Sequence, residues 1–264
     1  MRETGRLSVV LLGDRGSPTR AVYHALAAGL GDAVDLRALL EASPSRLTLA
    51  RRRARRLGWG TVTGHVLFMG AVMPLLRLQG RRRVAQIATE RGLDFRPISR
   101  GAYVESVNDP QTLALLAEAE PDLVVVHGTR IIAERVLREI AVPVVNVHAG
   151  ITPRYRGVHG GYWAFADGRP ELAGTTVHLV DAGIDTGGIL AQAVFERDQG
   201  DTIATYPYLH LACGLPILLK VASGLLGGNQ PVPCPPLPGA DESQLRWHPT
   251  AWGYVATRLR RGVA

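Results

Sequence analysis

The sequence predicts an α/β fold, an open and mostly parallel sheet with helices on both faces. Its 264 residues are 46% hydrophobic, which is enough apolar material for one large domain with a sizeable core. Apolar, β-branched runs at 122–126 and 142–147 are separated by helical patterns, and parallel strands covered on both faces require such runs. Because residues 7–30 show the same strand, turn and helix order, we expect a Rossmann-like arrangement.

The amino-terminal segment predicts the first strand and helix. Leu7–Leu12 indicates a buried strand and Ala21–Leu30 a helix, with Ser17 as its N-cap and Pro18 at its first position. The turn between them has two glycines, so the three-glycine fingerprint of dinucleotide-binding folds is absent. A helix that begins after a strand can bind a phosphate through its free N–H groups. The turn is therefore predicted either to hold a phosphate or to have no ligand.

Positive charge is concentrated in residues 46–83. This segment holds ten arginines and no Asp or Glu, and since the formal net charge is +7, the remainder of the chain carries −3. The protein is therefore not a uniformly basic nucleic-acid binder, and no nucleic-acid partner is expected.

Residues 57–76, which lie between these arginines, carry no formal charge. Their Gly and Thr content is too high for an ordinary membrane-spanning helix. Two alternatives stay open. The segment forms helices that pack on the sheet or at an interface of a homo-oligomer, or it dips into a membrane surface while the arginines of 46–83 contact anionic headgroups.

The rest of the chain continues the α/β pattern. Strands are predicted at Asp122–Val126, Val142–Val147, Gly174–Val180 and Ile189–Phe195, and helices at Gln111–Ala119, Ala133–Ile140 and Ile203–Leu226. Pro207 and Pro216 are expected to break or kink the last helix. Residues 230–239 contain five prolines, which predicts an extended connector to a short tail.

Polar residues suited to catalysis cluster where the later strands end. Asn146 and His148 lie two residues apart at the end of one strand, and therefore on the same face. The loop 180–188, which includes Asp185, is expected to return to the same edge of the sheet, where open α/β folds bind their ligands.

Four short blocks follow one another in this part of the chain: Asn146-Val147-His148, Pro153-Arg154-Tyr155-Arg156-Gly157, Gly174-Thr175-Thr176-Val177-His178 and Gly183-Ile184-Asp185-Thr186-Gly187. Together they resemble the signature of the folate-dependent formyltransferases, a family that includes the glycinamide ribonucleotide, methionyl-tRNA and sugar N-formyltransferases. The likeness is good over 122–195, weaker over 7–30, and absent at 42–92 and in the tail. It implies a formyltransferase-like catalytic domain over 1–228, with an arginine-rich helical insertion at about 42–92, and a proline-rich connector and tail over 229–264.

The resemblance also implies site residues and a formyl donor. The catalytic trio of the family falls on Asn146, His148 and Asp185. The donor would be 10-formyltetrahydrofolate, with no metal. Its pterin would be held largely by backbone groups of two loops, Gly128-Thr129-Arg130-Ile131-Ile132 and Val180-Asp181-Ala182-Gly183. The turn at 13–19 matches the place where some members hold a phosphate of the acceptor.

The residue types of the trio suit this chemistry. Formyl transfer to an amine passes through a tetrahedral intermediate with a negatively charged oxygen, to which a protonated His148 and the Asn146 amide can donate hydrogen bonds. Asp185, directly or through a water, can accept the proton that the attacking amine must lose. We expect transfer to a primary amine of a small molecule, such as an aminosugar on a nucleotide or lipid carrier.

Two other functions stay open at this point. A hydrolase would use the same trio to release formate from 10-formyltetrahydrofolate, and a non-catalytic protein of this fold would bind at a membrane surface. A transfer-RNA acceptor is not expected, because little beyond residue 239 could form the basic β-barrel domain that such relatives use. The chain has two cysteines and no secretory signal pattern, which predicts a cytoplasmic location, with membrane association as the alternative.

Other side chains are interpreted as structural. His127 and His178 lie within apolar strand patterns and are predicted to be core histidines. The aromatic residues after the loop either pack their helix or line the acceptor pocket; they are Tyr162, Trp163 and Phe165.

Overall fold

The computed structural model describes residues 6–43 and 54–264, and a seven-stranded sheet forms its centre. The strands are β1 (Leu7–Asp14), β2 (Val34–Glu41), β3 (Gly101–Val104), β4 (Leu123–His127), β5 (Val144–His148), β6 (Arg156–Gly157), β7 (Gly174–Leu179), β8 (Ile189–Val194) and β9 (Leu245–Arg246). The order in the main sheet is β3-β2-β1-β4-β5-β7-β8. Neighbours from β3 to β5 are parallel, while β7 runs in the opposite direction and pairs antiparallel with β5 and β8. The predicted open, mostly parallel sheet is therefore confirmed.

Helices connect these strands and cover the sheet. They are α1 (Ser17–Leu30), α2 (Trp59–Leu67), α3 (Met73–Gln79), α4 (Arg81–Arg91), α5 (Pro110–Ala119), α6 (Glu134–Glu139), α7 (Gly160–Ala166), α8 (Tyr206–Leu226) and α9 (Ala251–Arg261). A π-helical turn, Phe68–Val72, joins α2 to α3 without a break.

Apolar side chains of the sheet are buried on both of its faces. Along β1, Val9 and Leu11 belong to one core cluster, whereas Val10 and Leu12 belong to the other. The first cluster includes side chains of α1 and α8, and the second includes side chains of α5 and α6. This explains why the predicted strands are continuously apolar: neither face of β1 meets water.

The segment predicted as an arginine-rich insertion has a place in the sheet topology. Its helices lie between β2 and β3, which are parallel neighbours, and parallel neighbours need a long crossover connection. Residues 59–91 supply that connection, so the description of this segment as an insertion outside the fold is not confirmed. Residues 44–53, with four of the ten arginines, lie outside the described residues.

One of the remaining arginines, Arg83, forms ion pairs with two aspartates. Arg83 Nε lies 2.9 Å from Asp201 Oδ1, and Arg83 Nη2 lies 2.5 Å from Asp198 Oδ2. Asp201 is fully buried, which would raise the pKa of its carboxyl, but Arg83, the Asp198 N–H and the Thr205 hydroxyl together outweigh burial and lower it. Arg83 therefore fastens α4 to the loop before α8 instead of contributing to a basic surface.

Two local predictions were wrong. Gly16, not Ser17, is the N-cap of α1, and its N–H donates to Asp14 Oδ1 at 3.0 Å. Pro207 and Pro216 were predicted to break or kink the last helix, and no break occurs at either. Pro207 lies in the first turn of α8, where its missing N–H costs nothing, and Pro216 lies on an exposed position inside a continuous helix.

The carboxyl-terminal tail packs against the rest of the chain. Residues 229–244 contain no helix or strand, and β9 then pairs with β6 in a small two-stranded sheet. The following helix, α9, contacts α2 and the π-helical turn, with the rings of Tyr254 and Phe68 5.3 Å apart. The tail thereby reaches both the arginine-flanked helices and the loop that follows β5.

Candidate active site

The polar cluster is built on the two antiparallel neighbours β5 and β7. Asn146 and His148 come from β5, and their side chains share one face because Val145 and Val147 point into the core on the other. In the register of the two strands, Asn146 is directly opposite His178, and His148 is opposite Thr176. The reversal of direction at β7 therefore places a histidine of β7 beside the amide of β5.

Asp185 completes the predicted trio, although the strand before its loop ends at the opposite edge of the sheet. Because β7 runs antiparallel, it ends beside the start of β5, where the Val180 N–H donates to the Val144 carbonyl at 2.8 Å. The loop 180–188 must then fold back along β5. It brings Asp185 Oδ1 to 3.4 Å from both Asn146 Nδ2 and His148 Nδ1, so the three residues meet as the sequence predicts.

The backbone at Asp185 is held in an unusual conformation. Its φ of 51° lies in the left-handed region, which non-glycine residues rarely adopt and which suggests that surrounding contacts impose it. One such contact is the Gly157 N–H, which donates to Asp185 Oδ2 at 2.8 Å. Gly157 belongs to β6, which pairs with Arg246 of β9, so the carboxyl-terminal tail helps to position the carboxylate.

His148 is held between two oxygen atoms. Its Nε2 lies 2.7 Å from the Tyr155 carbonyl oxygen and its Nδ1 lies 3.4 Å from Asp185 Oδ1. Each ring nitrogen therefore faces an oxygen that can accept a hydrogen bond from an N–H group. Gly150 allows this packing, since a Cβ at that position would lie 2.3 Å from the Tyr155 oxygen and 2.7 Å from His148 Nε2.

The charge state of Asp185 follows from its neighbours. Burial alone would raise its pKa, but the positive charge of His148, the nearby His178 ring and the Gly157 N–H together outweigh burial and hold the pKa at about 2. Asp185 is therefore an anion at any physiological pH.

His178 is a member of this cluster that the sequence analysis assigned to the core. It is indeed buried, but its Nε2 lies 3.1 Å from Asn146 Nδ2 and 3.7 Å from Asp185 Oδ1. Its Nδ1 is 2.7 Å from the Leu179 carbonyl oxygen, which fixes the ring. The signal in the sequence was its position within the block 174–178. The other predicted core histidine, His127, is only half-buried; it contacts Thr19 Oγ1 at 3.0 Å, and desolvation lowers its pKa.

The two loops predicted to hold the pterin both contribute to one apolar cluster of the protein. Ile132 of one and Val180 of the other belong to the same apolar cluster, while residues 181–183 are exposed. An apolar floor with exposed backbone groups beside it fits a flat heterocycle with polar edges. The two loops are therefore compatible with the pterin of a folate.

Arg130 contributes to the shape of the first loop. Its Nε lies 2.7 Å from Glu41 Oε2, its Nη2 donates to the Ala42 carbonyl at 2.7 Å, and its own N–H donates to Glu41 Oε1 at 2.5 Å. Asn108 holds the same loop through the Ile131 carbonyl, at 2.9 Å. The Arg130 side chain and part of the loop backbone are therefore engaged in contacts with other residues of the protein.

The turn between β1 and α1 contains a carboxylate. Asp14 Oδ1 accepts from the Gly16 N–H at 3.0 Å and from Thr19 Oγ1 at 2.5 Å. The Asp14 carboxylate therefore accepts a hydrogen bond from the Gly16 N–H and brings negative charge to this turn. The turn was predicted either to hold a phosphate or to have no ligand. Of these two alternatives, the structure favours the turn without a phosphate.

A cavity of about 330 Å³ lies between α2, α7 and the tail. Its lining residues include His65, Tyr162, Trp163, Trp247 and His248. Tyr162 and Trp163 therefore do face a pocket, whereas Phe165 packs against Phe195 and Tyr206. Within residues 6–43 and 54–264, no three His, Cys, Asp or Glu side chains come together as a metal site.

Taken together, the fold and site define an α/β protein with an ionised carboxylate, an imidazole and an amide grouped at a strand end. Residues 78–209 match the sequence profile of the formyl transferase family. The match spans half of the chain, and the protein therefore belongs to this family. It begins within the segment predicted as an insertion, so the last part of 42–92 is shared with the family.

Individual relatives agree with this assignment. The chain is 37% identical over 131 residues to the phosphoribosylglycinamide formyltransferase of Mycobacterium tuberculosis, which covers 46% of this chain and 58% of that protein. It is 31% identical over 147 residues to the methionyl-tRNA formyltransferase of Koribacter versatilis, which covers 52% of this chain and 47% of that protein. The chain thus spans about half the length of the curated relatives that it matches.

Solved structures show the same fold at low sequence identity. A sugar N-formyltransferase from a Shewanella species superimposes with a TM-score of 0.56 and 15% identity, over 91% of this chain and 76% of that one. A phosphoribosylglycinamide formyltransferase from Anaplasma phagocytophilum superimposes with a TM-score of 0.54 and 19% identity, over 84% of this chain and 88% of that one.

Proposed function

We propose that the protein transfers a formyl group from 10-formyltetrahydrofolate to a primary amine of a small-molecule acceptor. The observation that carries this proposal is the position of Asp185. One of its oxygens lies 3.4 Å from both the Asn146 amide and the His148 ring, and the other is fixed by the Gly157 N–H. Family membership supports the reaction class.

In this mechanism each residue of the trio has a separate task. The separation of 3.4 Å between His148 Nδ1 and Asp185 Oδ1 is long for a hydrogen bond, so His148 would exchange this weak contact for one to the formyl oxygen when the donor binds. Asn146 supplies a second donor to that oxygen. Asp185 orients the His148 ring and, directly or through a water, accepts the proton that the amine loses on attack.

We propose that the folate lies along the loops 128–132 and 180–183. When bound, it supplies the formyl group. Ile132 and Val180 would provide the apolar floor, and backbone groups of both loops would provide polar contacts. Because Arg130 is engaged with Glu41, its proposed task is to hold the first loop in shape.

The acceptor is the part on which the named relatives differ, since their acceptors are a phosphoribosylglycinamide, a methionyl-tRNA and a sugar. Asp14 argues against an acceptor whose phosphate is held at the turn between β1 and α1. We therefore propose an amino compound such as an aminosugar, whose carrier, if any, lies away from that turn.

Incubation of the purified protein with 10-formyltetrahydrofolate and a panel of amines tests the proposal. The panel contains nucleotide-linked and lipid-linked aminosugars, with phosphoribosylglycinamide as a comparison. Mass spectrometry of the acceptor detects transfer, and formate release without an acceptor detects hydrolysis. Acceptor-dependent formylation that is lost in Asp185→Asn and His148→Ala supports the proposal. Formate release without formylation of any acceptor contradicts the proposal. The absence of both transfer and hydrolysis contradicts it as well.

A further inference from the structure

The helical stretch 59–79 leaves one apolar face open to solvent. Trp59, Val66, Leu67, Leu75 and Leu78 are all more than half exposed, and Trp59 reaches 68%. This stretch and α8 are the two helices of the described residues that are long and apolar enough to cross a membrane by length and composition. In α8, however, no large apolar side chain is exposed, because that helix packs against α1, β7 and β8.

The opposite face of the same stretch packs on the protein. Its buried side chains recur at three-residue steps, except for one five-residue step from Phe68 to Met73. The π-helical turn lies at that step and accommodates the extra residues. The buried side chains are Val62, His65, Phe68, Met73 and Leu76. One face is therefore held against the protein along the whole length. The stretch lies on the surface as an amphipathic helix and does not stand free of it.

The last helix, α9, extends this apolar face. Trp252, Val255 and Leu259 are exposed at three- and four-residue steps, which places them on one side of the helix. The two helices meet where the Trp252 ring packs over Gly64, since a Cβ on Gly64 would lie 2.5 Å from that ring. The exposed side chains of both helices are hereafter the apolar surface.

Positive charge borders the apolar surface, and acidic residues are absent from both segments that form it. Residues 54–83 and 243–264 contain no Asp or Glu. Exposed arginines stand next to the ends of the helices, at Arg55, Arg56, Arg81, Arg82 and Arg260. Arg83 is excluded from this group, because it is paired with Asp198 and Asp201.

We propose that the apolar surface binds the interface of an anionic lipid bilayer, with its apolar side chains among the acyl chains and the bordering arginines at the headgroups. Exposed apolar patches of this kind mark interaction sites, and an apolar stripe edged by arginines matches the polarity of that interface. A second copy of the chain is a poorer occupant. Two such surfaces face to face would bring their arginines together with no carboxylate of these segments between them.

Flotation of the full-length protein with lipid vesicles tests this proposal and requires no enzymatic activity. Vesicles of phosphatidylcholine alone are compared with vesicles that contain one part in three of phosphatidylglycerol, at low and high salt. We expect the protein to float with the anionic vesicles, to float much less with neutral ones, and to be released in part by salt.

Two pairs of variants locate the contact. Leu67→Glu should lower binding at least tenfold, while Val232→Glu, at an even more exposed apolar position in the proline-rich connector, should leave it unchanged. Arg81→Gln should lower binding to anionic vesicles about fivefold, while Arg135→Gln, an exposed position on α6, should not. Thermal unfolding of each variant confirms that it is folded.

Three results would overturn the proposal. They are equal binding to neutral and anionic vesicles, no binding to either, and a stable dimer that Leu67→Glu dissociates, which would make the apolar surface a subunit interface. Since flotation is independent of the formylation assay, either idea can fail while the other stands.

Discussion

Replacement of Asp185 by Asn tests the site through stability and through turnover. In the folded protein the pKa of Asp185 is about 2, compared with 3.8 for the free side chain. At about 1.4 kcal/mol for each pKa unit, the interactions of the ionised carboxylate contribute about 2 kcal/mol. Because the folded pKa is the lower one, this contribution is complete above pH 4 and is lost as the pH falls toward 2.

Urea unfolding of the wild type and of Asp185→Asn measures this contribution. We expect the variant to be about 2 kcal/mol less stable at pH 7, and the difference to shrink steadily between pH 4 and pH 2. The comparison of the two proteins cancels the titration of carboxyl groups that they share. Asp181→Asn is a matched control, because that carboxylate lies in the same loop but is exposed and contacts only loop neighbours in the described residues.

Asp185→Asn should also lower turnover by a factor of about 10² to 10⁴, since it removes the proposed proton acceptor and the partner of His148. A variant as stable as the wild type at pH 7, or a difference that does not change on acidification, would refute the electrostatic reasoning. Near-normal turnover would refute the catalytic assignment.

Two further predictions concern residues that the trio does not include. His178→Ala should lower turnover roughly tenfold to a hundredfold with little change in the KM for the donor, because it leaves the Asn146 amide without its neighbour, and His178→Gln should restore part of the loss in steady-state kinetics. Arg83→Ala should lower the free energy of unfolding by about 2–3 kcal/mol in urea titrations because Asp201 is left buried without its cation. Exposed Arg82→Ala should change it by less than about 0.5 kcal/mol, and equal losses for the two variants would contradict this account.

The strands that the sequence predicted are those with the simplest environment. The β-branched runs that became β4 and β5 are buried on both faces, and their apolar pattern is unmistakable. Strand β2 was not predicted, because Asp35 and Arg37 interrupt its apolar pattern, and β3 has four residues at the edge of the sheet. Both of these strands obtain their structure from pairing with a neighbour.

The site shows the same division between local and long-range information. The sequence blocks predict that Asn146, His148 and Asp185 act together, and the structure brings them into contact. The same blocks include His178, but its contact with Asn146 depends on the register of β5 and β7, which the sequence does not reveal. Nor could the charge pattern separate Arg83, which is paired with the buried Asp201, from the exposed arginines beside it.

The reversal of direction between β5 and β7 has a consequence for how the protein acquires its activity. Asn146 and His148 belong to the parallel half of the sheet, whereas His178 and Asp185 arrive with the antiparallel half. Neither half contains a complete site. Activity should therefore return during refolding only when β5 and β7 pair. A kinetic intermediate with only the parallel half formed would have native-like helices and no turnover.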